Sequence, residues 1–112
     1  MMGTIQPADV AVVILNGNGR HHLETYLPSV LEHTPPDTNV WVVDNGSTDD
    51  SVAWLHAHQS PRVQLVKLDQ NLGFAAGYNE GLKHIDAEVY VLLNSDVRMD
   101  GPWVEPVLAA ME

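Results

Sequence analysis

Val40-Trp41-Val42-Val43-Asp44-Asn45-Gly46-Ser47-Thr48-Asp49 passes from a β-branched apolar run directly into a polar, glycine-containing turn. A short run that hardly alternates predicts a strand covered on both faces, as in a parallel sheet. Three further runs of this kind predict strands at Val10 to Leu15, Val63 to Leu68 and Val89 to Leu93. Between the strands, Leu23, Leu27, Val30 and Leu31 form one stripe at helical spacing, and Phe74, Tyr78, Leu82 and Ile85 form another. Ser47 and Thr48, followed by Asp49 and Asp50, predict a hydroxyl-capped helix start, and Pro61 stops that helix near Gln59. Pro28 predicts a kink or a separate short turn in the first helix. Asp100-Gly101-Pro102 announces a last helix carrying Trp103, Val104, Val107, Leu108 and Met111. The resulting order, β-α-β-α-β-α-β-α, predicts an α/β fold: a doubly wound, mostly parallel sheet with helices on both faces. Residues 1–8 read as a loose leader and residues 9–112 as one domain; the last helix runs to Glu112 with no closing turn, which predicts a domain cut short.

The chain has 112 residues, 45% of them hydrophobic, enough to bury one small core. No apolar run approaches the roughly 20 residues of a membrane span, and no secretory signal precedes the first strand. Cysteine is absent, so any metal must be held by oxygen or imidazole. Fifteen acidic residues against five basic ones give a net charge of −10. The basic residues, Arg20, Arg62, Lys67, Lys83 and Arg98, are scattered, which argues against nucleic acid as a partner. The same balance means that a phosphate ligand needs a divalent cation, Mg2+ or Mn2+, between itself and a carboxylate.

In an open parallel sheet the ligand lies beyond the carboxyl ends of the strands. The residues there are Asn16-Gly17-Asn18-Gly19, Asp44 to Asp49, Asp69-Gln70-Asn71-Leu72-Gly73 and Asn94-Ser95-Asp96. Gly17 and Gly19 begin a G-x-G-x-x-G pattern, but His22 stands at its last glycine, and no G-x-x-x-x-G-K-[ST] occurs; both facts disfavour a dinucleotide enzyme or a P-loop NTPase. Asp96 leaves the last strand as a hard oxygen donor suited to Mg2+ or Mn2+, or else caps a turn. Asp44 either accepts a hydrogen bond from a pyrimidine imide or ribose hydroxyl, or caps the turn that follows it. His21, His22, His56 and His58 lack the spacing of a zinc site and read as surface residues.

Read together, these strand ends resemble glycosyltransferase family 2, whose members have the GT-A fold and take sugars from nucleotide diphosphates. Val10 to Asn16 looks like the first strand of that family, Val42 to Asp49 like its second strand and turn, Asn71-Leu-Gly-Phe-Ala-Ala-Gly-Tyr-Asn79 like its third loop and helix, and Val91-Leu-Leu-Asn-Ser-Asp96 like its D-x-D segment. The resemblance implies a nucleotide-sugar site made of Asn16, Asp44, Gly46, Asn71, Gly73, Asn79, Asn94, Ser95 and Asp96. Within it Asp44 and Asn16 meet the base, Gly73 and its neighbours let backbone approach the nucleotide, and Asp96 holds the metal. Asn94 replaces the first aspartate of the motif and brings no charge. The donor implied is a UDP- or dTDP-sugar; the Asn-Gly-Asn-Gly turn and Asn-Ser-Asp segment look like those of rhamnosyltransferase-type members with thymidine diphosphate donors, while the sugar itself is not readable from these residues. The acceptor is a glycan or lipid-linked sugar. No residue here fits the catalytic base, which in such inverting enzymes lies further downstream. The resemblance places the protein in the cytoplasm, with attachment to the inner membrane face left to the full-length protein. A nucleotidyltransferase-like enzyme and a binding-only module are the alternatives.

Overall fold

The structure is a computed structural model that describes residues 5–58, 62–95 and 101. A 3₁₀ turn at Pro7–Asp9 leads into β1 (Val10–Asn16), α1 (Arg20–His33), β2 (Asn39–Asn45), α2 (Ser51–Ala57), β3 (Val63–Leu68), α3 (Phe74–Leu82) and β4 (Val89–Asn94). All strand pairs are parallel, in the order β3-β2-β1-β4. The Pro7 carbonyl accepts a 2.8 Å hydrogen bond from Thr38 Oγ1, so the start of the domain is tied to the start of β2. The last predicted helix lies outside the described residues, as does Gln59 at the predicted end of the second one.

Alternate residues of the central strands serve opposite faces of the sheet. Val12 and Ile14 of β1, with Val40 and Val42 of β2, pack under Leu23, Leu27 and Val30 of α1 and Leu55 of α2. Ala11, Val13 and Val43 pack on the other face with Tyr78 of α3 and Ile85. Burying each such Val, Leu or Ile contributes about 1.5–3 kcal/mol, and covering both faces makes the fold doubly wound. On the second face Gly77 and Gly81 of α3 replace side chains: a Cβ on Gly81 would come within 2.6 Å of Val43. The helix therefore rests almost directly on β2.

Three expectations need correction. Only β1 and β2 are covered on both faces; β4 alternates half-buried and exposed residues, because an edge strand meets fewer helices. Phe74 does not join the core stripe. It is 65% exposed at the start of α3, and Tyr78 carries the packing. Pro28 does not split α1, which is a single helix through that position; Pro28 and Glu24, whose carbonyl loses its partner, both lie on the exposed side.

The hydroxyl of Tyr78 donates to the Leu93 carbonyl at 2.6 Å, linking α3 to the end of β4. Burial raises the phenol above its ordinary pKa of 10.0, against a smaller lowering by the Leu15 backbone. A raised folded pKa contributes stability that is complete below the unfolded value and is lost as pH climbs through the folded value. Tyr78→Phe should therefore cost about 1 kcal/mol at pH 7. It should also flatten the loss of stability above about pH 10. Thermal melts of both proteins across this range check the result, and parallel alkaline limbs would refute it.

Candidate functional site

The chain moves outward from β1 to β2 and β3, then returns to place β4 on the other side of β1. The carboxyl ends of β1 and β4 therefore frame the switch-point crevice. In register, Leu15 lies opposite Asn94 and Asn16 opposite Asp44, so the polar turns leave the sheet side by side. A cleft of about 510 Å3 opens there. Asn45, Asn71, Asn94 and Ser95 supply its polar groups, Leu15, Gly17 and Gly73 its backbone-rich surface, and His22 and Phe74 its rings. Of the predicted site residues, Asn71, Gly73, Asn94 and Ser95 line this cleft. Asn79 is exposed on α3 and lies outside the lining, and Asp96 lies outside the described residues.

Asn16 and Asp44 are fully buried. Asp44 Oδ1 accepts hydrogen bonds from Asn16 Nδ2 at 3.1 Å and Ser47 Oγ at 2.6 Å, while its Oδ2 accepts from the Ser47 N–H at 3.0 Å. That is a turn cap, and it organises the segment behind the cleft. Asn16 Oδ1 accepts no hydrogen bond from the described residues. It faces Gly19, where a Cβ would lie 2.5 Å from it and 3.0 Å from Ser95 Oγ. A side chain at position 19 would therefore have to displace the side chains of Asn16 and Ser95.

The turns after β1 and β2 are latched together. Asn18, at φ 52°, turns its Oδ1 to the N–H groups of Thr48 (2.7 Å) and Asp49 (3.0 Å), and Ser47 Oγ accepts from the Asn18 N–H at 2.9 Å. Ser47 and Thr48 are thus engaged in the latch and do not cap α2, which begins at Ser51. The N-cap position is Asp50, which makes no side-chain cap bond, and the carboxylate of Asp49 just before it accepts from the Ser51 N–H and Oγ. Slight burial pushes the Asp49 pKa up, but the hydrogen bonds from Ser51 and from the Arg20 N–H outweigh it, and the net shift is downward. A lowered carboxylate contributes stability above its unfolded value of 3.8 that disappears as pH falls through the folded value.

Five lining residues, Leu15, Gly17, His22, Asn45 and Phe74, were not among the predicted site residues, and two of them carry polar side chains. His22 was read as a surface residue; it is exposed, yet it lies in the third helical position of α1, where it is the one titratable side chain among the cleft's described lining. Asn45 is 4% exposed and follows Asp44 on the opposite face of β2, toward α3. Strand alternation was the signal: if Asp44 faces α1 with Val42, then Asn45 faces α3 with Val43. Among the described residues no group of three His, Asp or Glu side chains is arranged to hold a metal.

A doubly wound parallel sheet with a polar, mostly uncharged cleft at its switch point defines the class of α/β domains that bind small polar ligands beyond the strand ends. Comparison with known proteins is more specific. Residues 9–112 match Glycosyl transferase family 2, and the chain belongs to that family. A putative teichuronic acid biosynthesis glycosyltransferase of Bacillus subtilis, TuaG, is 29% identical over 89 residues, covering 78% of this chain and 35% of that protein. The mannosyltransferase PcManGT of Pyrobaculum calidifontis, solved with GDP-Man and Mn2+, superposes with a TM-score of 0.74 at 27% identity over 92% of this chain and 31% of its own. TarS 1-349 of S. aureus, solved with UDP-GlcNAc, has the same fold, with a TM-score of 0.76 at 22% identity over 91% of this chain and 30% of its own. The chain thus spans about a third of the length of these relatives. The fold is that of the GT-A glycosyltransferases, as the sequence motifs led us to expect. Membership of the family sets aside the nucleotidyltransferase alternative.

Proposed function

We propose that residues 9–112 form the donor-binding part of a glycosyltransferase that binds a nucleoside diphosphate sugar with a divalent cation, for inverting transfer to an acceptor hydroxyl during surface polysaccharide synthesis. The observation that carries this reading is the switch-point cleft. Its polar lining, Asn45, Asn71, Asn94 and Ser95, consists of neutral hydrogen-bonding groups that suit a nucleoside and sugar. The described lining offers the diphosphate charge no fixed cation, only the imidazole of His22. In a chain of net charge −10 this favours a cation carried with the ligand.

Asp96 is assigned as the metal carboxylate, with Asn94 and Ser95 as hard neutral oxygens beside it, a donor set compatible with Mg2+ or Mn2+. When bound, the cation neutralises the diphosphate and stabilises charge on the leaving group. Asp44 and Asn16 are assigned to the base side of the site, where, fully buried behind the cleft, they hold the turns that would receive the base. Gly46, Gly73 and Asn79 complete the site through the turns they shape or follow. The donor is assigned as a UDP- or dTDP-sugar of rhamnosyl type, and the acceptor, a glycan or lipid-linked sugar, is left to the remainder of the protein. No helix among the described residues is long and apolar enough to cross a membrane; a cytoplasmic setting with peripheral attachment at the inner face is part of the same reading.

Calorimetric titration with UDP, dTDP, GDP and UTP, with and without Mn2+, tests it. Diphosphate binding should be at least about tenfold tighter with Mn2+, equivalent to about 1.4 kcal/mol. Sugar transfer by the 112-residue chain alone should be negligible. Preference for a triphosphate, or failure to bind any of these nucleotides, would remove the reading; robust turnover would remove its assignment of the base to another part of the protein.

A further inference from the structure

We propose that Asn45 is a positioning residue that holds the turn Asn71-Leu72-Gly73 in the shape in which it lines the cleft, and that the position works only as an amide. The inference rests on the reading of that cleft as the nucleotide site and adds what sets its affinity. Asn45 is 4% exposed at the carboxyl end of β2, and every polar atom of its side chain is used on this one turn. Its Nδ2 donates to the Gly73 carbonyl at 3.1 Å and to Asn71 Oδ1 at 3.3 Å, and its Oδ1 accepts from the Leu72 N–H at 3.0 Å. Asn71 Oδ1 also accepts from the Gly73 N–H at 2.8 Å, so the side chain that Asn45 steadies pins the turn a second time.

The clamp is closed from behind by α3. A Cβ on Gly77 would lie 2.8 Å from Asn45 Nδ2, so the amide has little room to retreat. Gly73, at φ 83° with open space around its Cβ position, gives the turn its conformation, and its carbonyl also accepts from the Gly77 N–H at 3.0 Å. The side-chain restraint on the turn therefore comes from Asn45, together with Asn71. An aspartate has the same shape but only accepts hydrogen bonds. It would keep the Leu72 bond and set a carboxylate oxygen against the Gly73 carbonyl and Asn71 Oδ1. An alanine would release all of these contacts.

The test uses Asn45→Asp and Asn45→Ala, with amide hydrogen exchange at Leu72 and Gly73, UDP affinity in Mn2+, and thermal midpoint read on each. Asn71→Ala is a second variant at an exposed position, which removes part of the clamp without disturbing a buried residue. We expect exchange to rise about tenfold or more at Leu72 and Gly73 in Asn45→Ala, and at Gly73 in Asn45→Asp, whose carboxylate still accepts from the Leu72 N–H, about 1.4 kcal/mol of local opening. Amides of Val12 and Val13 in β1 should keep parental protection relative to the measured global stability. UDP affinity of the folded protein should fall at least about tenfold, and Asn71→Ala should move both readouts in the same direction by less. Parental exchange at these two amides, or parental affinity in Asn45→Asp, would overturn the proposal, as would faster exchange spread evenly over β1. If the unsubstituted protein binds no nucleotide, the donor-site reading fails, and exchange alone then decides whether Asn45 is the clamp.

Discussion

Gly46→Ala should lower stability by about 3 kcal/mol or more and abolish nucleotide binding. Two independent effects add at this position. Its φ of +69° lies in the left-handed region, which costs a residue with a Cβ roughly 1–2 kcal/mol. A Cβ there would also sit 2.3 Å from the Gln70 carbonyl carbon and 2.5 Å from the Asn71 nitrogen. These are backbone atoms, so no side-chain rotation relieves the clash, and overpacking of this kind costs about 1–3 kcal/mol. The turn before α3 must move away from β2, carrying the cleft-lining Asn71 and Gly73 with it. Gly73→Ala is the natural control: at φ +83° and ψ 177° it is in a region almost reserved for glycine, but nothing lies within 4 Å of the added carbon, so only the conformational cost of about 1–3 kcal/mol applies. Denaturant midpoints of the two variants check the difference. Equal losses would show that close approach of the two turns does not matter.

Asp44→Asn should be the second most damaging change, despite leaving size and shape intact. The carboxylate receives Asn16 Nδ2 and Ser47 Oγ on one oxygen and the Ser47 N–H on the other, in a fully buried position. An amide offers a single acceptor oxygen, so an NH2 group must face at least one of these donors. Hydrogen bonds to a charged acceptor contribute about 1.5–3 kcal/mol each, and a stranded buried donor costs about 1–3 kcal/mol. A net loss of about 2–4 kcal/mol follows from these ranges, together with a drop in nucleotide affinity of at least about tenfold if the residue also meets the base. Chemical denaturation and UDP titration measure the two separately. A variant of parental stability would mean that the turn does not depend on charge at this position; lost stability with parental affinity would leave Asp44 a cap alone.

The four strands were legible because a strand buried on both faces needs a continuous β-branched run, and such runs have few other uses in a soluble domain. Their carboxyl ends were legible for the same reason, since the first polar residues after Leu15, Val43, Leu68 and Leu93 mark where the sheet meets the ligand side. The helix stripes were read less well. Phe74 has the spacing of a core residue, but at the first position of α3 it remains exposed with its ring against Tyr78, the next residue of the stripe, which takes the core place. Ser47 and Thr48 have the chemistry of caps, yet the geometry of the Asp44 turn claims Ser47 and the Asn18 latch claims Thr48 before α2 begins.

By itself, the order of residues determined the parallel α/β class, the turns that converge at one rim, and the family to which those turns belong, because each depends on patterns within short segments. Only the tertiary structure decided which of those polar residues lie buried behind the cleft, as Asn16 and Asp44 do, and which line it, as Asn45 and His22 do. The physical reason is that hydrogen-bond partners such as Asn45 and Gly73, or Asn18 and Thr48, are distant in the chain and become neighbours only once parallel strands are set side by side.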